Sequence, residues 1–154
     1  MTVDGRWCYL YRAIDADGNL VDAMLSETRE MDAAKRFFQR VRTVVGRAPE
    51  KVTTDRHDAY PRAIREELGA DVQHRTSRYM NNRMEQDHRG IKQRYYPMRG
   101  FGSVVSAARF CSAHDELRDH LRYRHHMNEA VSLADQRRLF QERWSALCAV
   151  LQAA

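Results

Sequence analysis

Long apolar runs are missing from this chain. None approaches the ~18 residues that a membrane span needs, so no transmembrane segment is expected. The opening residues, MTVDGRWCYLY, lack the basic-then-apolar layout of a signal peptide, and a cytoplasmic location is the expectation. Cysteine is sparse. Cys8, Cys111 and Cys148 lie far apart and form no CxxC pair, which speaks against a zinc site or a disulfide framework. Reduced, partly buried thiols are the expectation instead. Lysine is nearly absent too: of 26 basic residues only Lys35, Lys51 and Lys92 are lysines. Arginine's planar fork suits bidentate phosphate contact. The bias therefore fits a nucleic-acid partner, and it fits a GC-rich genome equally well. Internal repeats and low-complexity tracts are absent.

What is present suits one compact domain with a real core: 154 residues, 43% of them hydrophobic, with a net charge of +5. The stretch WCYLYRAID (7–15), the turn at 15–19 and a second run over Leu20–Ser26 predict an antiparallel hairpin. Asp4-Gly5 is a further turn candidate, and residues 1–3 before it look like the end of another strand. From 27 to 45, Ala33, Ala34, Phe37, Phe38, Val41, Val44 and Val45 recur at helical spacing, with Gly46 as the stop. Thr28 or Met31-Asp32 marks its start. A short strand over 51–55 follows, then a helix over 58–68 with Pro61 in its first turn. Residues 71–74 read as a brief strand, and Asn81 or Asn82 caps a helix that Pro97 ends. Ser103 caps a long helix to about Tyr123, and a final amphipathic helix covers 133–151. Residues 122–128 are the most plausible linker. With one more strand restored at the front, the order becomes three antiparallel strands and then alternating helix and strand, a mixed α/β sheet with helices on its faces and the element order of a ribonuclease-H-like fold.

Two acids stand out by position. Asp55 sits at the C-terminal end of a short central strand, where open α/β sheets gather their ligand sites. Glu85 lies near the start of the helix after it, and hard divalent ions take carboxylates from converging elements. Lys92 comes seven residues after Glu85, two helical turns on, with His88 and Arg89 between them on the same face. Such a face beside a metal-binding Asp suits a phosphate backbone. Each residue also has an ordinary reading: Asp55 as a turn cap, Glu85 and Arg89 as a surface ion pair, His88 as a surface residue. His114, His120, His125 and His126 show no ligand geometry, and Tyr9, Tyr11, Phe37 and Phe38 are expected in the core rather than as base-stacking platforms.

The stretch NNRMEQDHRGIKQRYYPMRGF (81–101) resembles the glutamate-containing block of DDE transposases from bacterial insertion sequences. The nearest group is the insertion-sequence-six family, within the retroviral-integrase superfamily. WCYLYRAIDADG (7–18), AAKRFF (33–38) and TTDRHDAYPRAIREELG (53–69) match it in collinear order. The resemblance implies a ribonuclease-H-like catalytic domain over 1–124, with 125–154 as a C-terminal helical extension. It implies two magnesium or manganese ions, DNA strand cleavage followed by strand transfer, and a homo-oligomer acting on double-stranded transposon ends and target DNA. Asp55 matches the second acid, Glu85 the third, and Lys92 the basic residue after it; Arg89 and His88 accompany Lys92 as expected DNA contacts.

One departure matters. The family's first acid precedes a Gly-Lys/Arg-Trp turn, here Gly5-Arg6-Trp7, and only four residues come before it. Asp4 falls at the turn and not at the matched position. The family's N-terminal DNA-binding helices have no match, and the spacing from Asp55 to Glu85 is a few residues tighter than usual. The expectation is a fragment short of its first strand and inactive alone. The alternatives are a non-catalytic DNA-binding or oligomerisation module, and a nuclease with a substitute acid such as Asp4.

Overall fold

The computed structural model describes residues 1–77, 82–123 and 130–153; within the helix that begins at Asn82, the side chains of 82–87 lie outside what is described. Two short strands, β1 (Thr2–Val3) and β2 (Arg6–Trp7), turn around Asp4 and Gly5. Both turn residues have positive φ, 48° and 71°, as the tight hairpin turn requires. The main hairpin joins β3 (Tyr9–Ile14) to β4 (Leu20–Ser26), with Tyr11 opposite Met24 and Leu10 opposite Leu25. Then come α1 (Met31–Val45), β5 (Lys51–Thr54), α2 (Ala59–Glu67) and β6 (Gln73–Thr76), which pairs parallel with β5. Helix α3 (Asn82–Tyr95) runs into a 3-10 turn over Tyr96–Met98, and α4 (Val104–Leu121) and α5 (Leu133–Ala153) complete the order.

The main hairpin has two buried faces because strand side chains alternate. Tyr9, Tyr11 and Ala13 face α1 and α2, where Ala33, Ala34, Phe37, Phe38, Val41, Ala63, Ile64 and Leu68 form one core. Leu10 and Leu25 face the other way, onto Cys8, Ile91 and Tyr95 of α3 and Ala107 and Cys111 of α4. The result is a layered α/β arrangement with helices on both sides of the hairpin.

Most expected elements are present, with shifted ends. Helix α1 begins at Met31, and Val44 and Val45 of its predicted stripe are exposed, because its 15 residues outrun the 9 of α2. Strand β6 forms two residues later than the run 71–74 suggested. Pro97 does not end the chain's helical path at once but falls inside the 3-10 turn. The described strands pair as three two-stranded ladders and not as one continuous sheet. Among the described residues, β3 pairs along its length only with β4, so its second edge carries no ladder. The N-terminal strand leans instead on the segment before α4: Val3 bridges Phe101, and the Asp4 amide donates to the Phe101 carbonyl at 2.7 Å. Gly100 makes that approach possible, since a Cβ there would come within 2.9 Å of the Thr2 carbonyl oxygen.

Candidate functional site

Asp55 follows β5 directly, so the parallel β5–β6 pair carries it at its C-terminal end. His74 of β6 steadies that end: its Nε2 lies 2.8 Å from Thr54 Oγ1, and the Thr54 hydroxyl donates to the Asp55 carbonyl. The carboxylate itself is half exposed. Its Oδ1 accepts the His57 amide at 3.2 Å, and its Oδ2 accepts Arg29 Nη2 at 2.8 Å. Arg29 comes from the connection between β4 and α1. The Tyr60 hydroxyl interacts with the same guanidinium, and the Tyr60 ring packs against His57. Burial, helped by the Asp55 charge, raises the Tyr60 pKa, so the phenol stays protonated. Asp55 is thus a half-exposed carboxylate with a cation already seated on one oxygen.

Helix α3 carries the other candidates. Glu85 lies in its first turn, and its side chain is outside the described residues, so the Asp55–Glu85 separation is too. Ile91 and Tyr95 bury one face of α3 in the core, while Arg89 and Lys92 are exposed. His88 behaves differently from both. Its ring is half buried and its Nε2 is enclosed, with no hydrogen-bond partner among the described residues. Burial first, then the charges of Arg12 and Lys92, push its pKa down to about 4. Near neutral pH it is an uncharged imidazole.

Sequence reasoning missed a buried contact between β3 and α4. Arg12 Nη1 reaches Asp115 Oδ1 at 2.7 Å, with side-chain exposures of 0% and 5%, and His114 Nδ1 lies 3.1 Å from the same oxygen. This pair ties β3 to α4 across 103 positions of sequence. The period-2 pattern held a signal, since Arg12 shares the inward face of Leu10. Nothing local pointed to Asp115 as its partner. His120 and His114 sit on α4, and His125 and His126 are outside the described residues. No group of three or more potential metal ligands occurs among the described residues. Asp4 is exposed, at the tip of the β1–β2 turn. Cys8 and Cys111 are buried free thiols, and Cys148 is a partly buried one.

A family model described as a DDE domain matches residues 1–126, which take in every element from β1 to α4. This chain belongs to the DDE-type transposases of the insertion-sequence-six family. The transposase for insertion sequence-like element IS431mec of Staphylococcus aureus is 41% identical to it over 97 residues, 60% of this chain and 42% of the relative. The transposase for insertion sequence element IS257 in transposon Tn4003, also from Staphylococcus aureus, matches with the same identity and coverage. The transposase chain therefore spans less than half the length of these curated relatives. No solved structure matches it. No described helix is long and apolar enough to cross a membrane.

Proposed function

We propose that this chain is the ion-binding and DNA-handling part of a transposase, built on a ribonuclease-H-like fold and serving DNA strand cleavage and strand transfer. The observation that carries the reading is the DDE-domain match over residues 1–126; the position of Asp55 just past β5, with Glu85 in the first turn of α3 and Lys92 two turns later, supports the choice of residues. Asp55 and Glu85 hold magnesium or manganese, two ions in the intact family. The fit is chemical: a half-exposed carboxylate that already accepts a guanidinium has the charge and access that a hard cation needs. Bound ions supply charge that offsets the phosphate and lower the pKa of the attacking water or 3′-hydroxyl. Lys92 and Arg89 contact the backbone of double-stranded transposon ends and target DNA, as exposed cations on one stretch of α3. With its pKa near 4, His88 adds no positive charge to that contact at neutral pH. The assembled protein acts as a homo-oligomer.

Residues 1–154 carry matches for two of the three acids, and two carboxylates hold a pair of ions poorly. A strand-transfer assay with oligonucleotide transposon ends tests this. The 154-residue chain should give no product with magnesium or manganese. A version extended to include the first-strand Asp, supplied with the DNA-binding helices, should give product that Asp55→Asn and Glu85→Gln each abolish. Robust transfer by the short chain, lost in Asp4→Asn, would instead make Asp4 the first acid. A second reading is a non-catalytic DNA-binding or oligomerisation module that interferes with intact transposase, which the net charge of +5 carried mostly by arginine also fits. DNA binding without cleavage, even by the extended form, would select it.

A further inference from the structure

We propose that Arg29 is an exchangeable counter-ion for Asp55: it holds the carboxylate while no divalent ion is bound and must release it for the ion to enter. The inference rests on the reading of Asp55 as an ion ligand. Three observations support it. Arg29 Nη2 sits 2.8 Å from Asp55 Oδ2, one of the two oxygens through which the carboxylate could coordinate a cation. The two side chains are 41% and 48% exposed, so the pair lies in high dielectric and is weak enough to exchange. Arg29 also has a second partner, the Tyr60 hydroxyl, which lets the guanidinium leave Asp55 without leaving the site.

The other Asp55 oxygen is held from within its own loop by the His57 amide. Release of Arg29 therefore frees Oδ2 while Oδ1 keeps the carboxylate oriented. Arg29 is a positioning residue in this scheme. It keeps Asp55 aligned and unpaired with stray cations, at the cost of competing with the ion. A guanidinium suits the task better than an ammonium because it is the more weakly hydrated ion and its planar fork can keep a second hydrogen bond.

The test is Mn2+ binding to the 154-residue protein, with free ion counted by electron paramagnetic resonance. Wild type, Arg29→Gln, Arg29→Lys and Asp55→Asn are compared at low and moderate salt. Arg29→Gln should bind Mn2+ roughly 3- to 10-fold more tightly, the scale of removing one exposed competing charge. The gain should shrink as salt rises. Arg29→Lys, which keeps the charge, should stay within about 2-fold of wild type. Asp55→Asn should lose the site. If Arg29→Gln binds equally or more weakly while Asp55→Asn still loses the site, the counter-ion role is wrong and the Asp55 assignment stands. If Asp55→Asn binds as well as wild type, the Asp55 assignment fails, and the role of Arg29 fails with it. The same holds if none of the four proteins binds Mn2+. Circular dichroism of each variant checks that the fold is kept, which the exposure of both residues favours.

Discussion

Arg12 shows how much one side chain can decide. A guanidinium with no exposed side-chain surface is costly to bury, and Asp115 is what makes the burial tolerable. Arg12→Met should therefore destabilise the protein by about 3–5 kcal/mol in urea unfolding, because Asp115 would be left without its main partner. Replacing both residues, Arg12→Met with Asp115→Leu, should recover a large part of that loss; no recovery would mean that the pair is not the unit that matters. His88 makes a second prediction at this scale. Its folded pKa is about 4, below the ordinary value of 6.5. The unfolded chain then binds more protons between those values, so stability falls as pH drops from 6.5 towards 4. The size is on the order of 1–3 kcal/mol. Urea midpoints at pH 7 and pH 4.5 measure it, and His88→Gln should flatten the difference relative to wild type.

Among the elements, α4 and α5 contrast. Helix α4 is anchored: Ala107, Cys111 and Asp115 are buried, and the Ser103 hydroxyl accepts the Ser106 amide at 3.1 Å as an N-cap. Ser103→Ala should cost about 1 kcal/mol. Helix α5 buries no residue, and Arg143 ties it to the end of α4 through the carbonyls of His120 and Arg122. Its Leu133, Phe140, Trp144 and Leu151 are exposed. We therefore propose that 125–154 is a separate helical extension. A chain ending at Ala130 should lose helical circular dichroism yet keep its cooperative unfolding with a midpoint close to that of the full chain. A collapse of cooperativity on that truncation would show that α5 belongs to the core. The second edge of β3 is the other feature at this scale, since open edges pair with other chains. Sedimentation velocity should show self-association that grows with concentration.

For the molecule as a whole, charge is the property that matters. A net +5 carried mostly by arginine should bind duplex DNA weakly and with little sequence preference. Affinity should fall steeply between 50 and 200 mM salt, because each neutralised phosphate releases counterions. Removing Lys92 and Arg89 together should lower the salt slope by about 2. An affinity that does not change with salt would count against the electrostatic mode.

Element order was legible in the amino acids alone, because periodicity and caps are local. The stripe of α1, the Ser103 cap and the Asp4-Gly5 turn are each readable within a few residues. Asp55, Glu85 and Lys92 were legible as candidates too, through strand-end position, helical spacing and a family resemblance. Their surroundings follow from long-range packing. Arg29 reaches Asp55 across 26 positions, and Arg12 reaches Asp115 across 103. No local pattern encodes such pairs, since they depend on which faces the layers bury. The fate of His88 was decided the same way. Its helical spacing put it beside Lys92, but burial enclosed its Nε2 and, with the charges of Arg12 and Lys92, lowered its pKa. Strand pairing, too, was a tertiary outcome: hydrophobic alternation marks a strand, while its neighbours are chosen by long-range contacts that alternation does not carry.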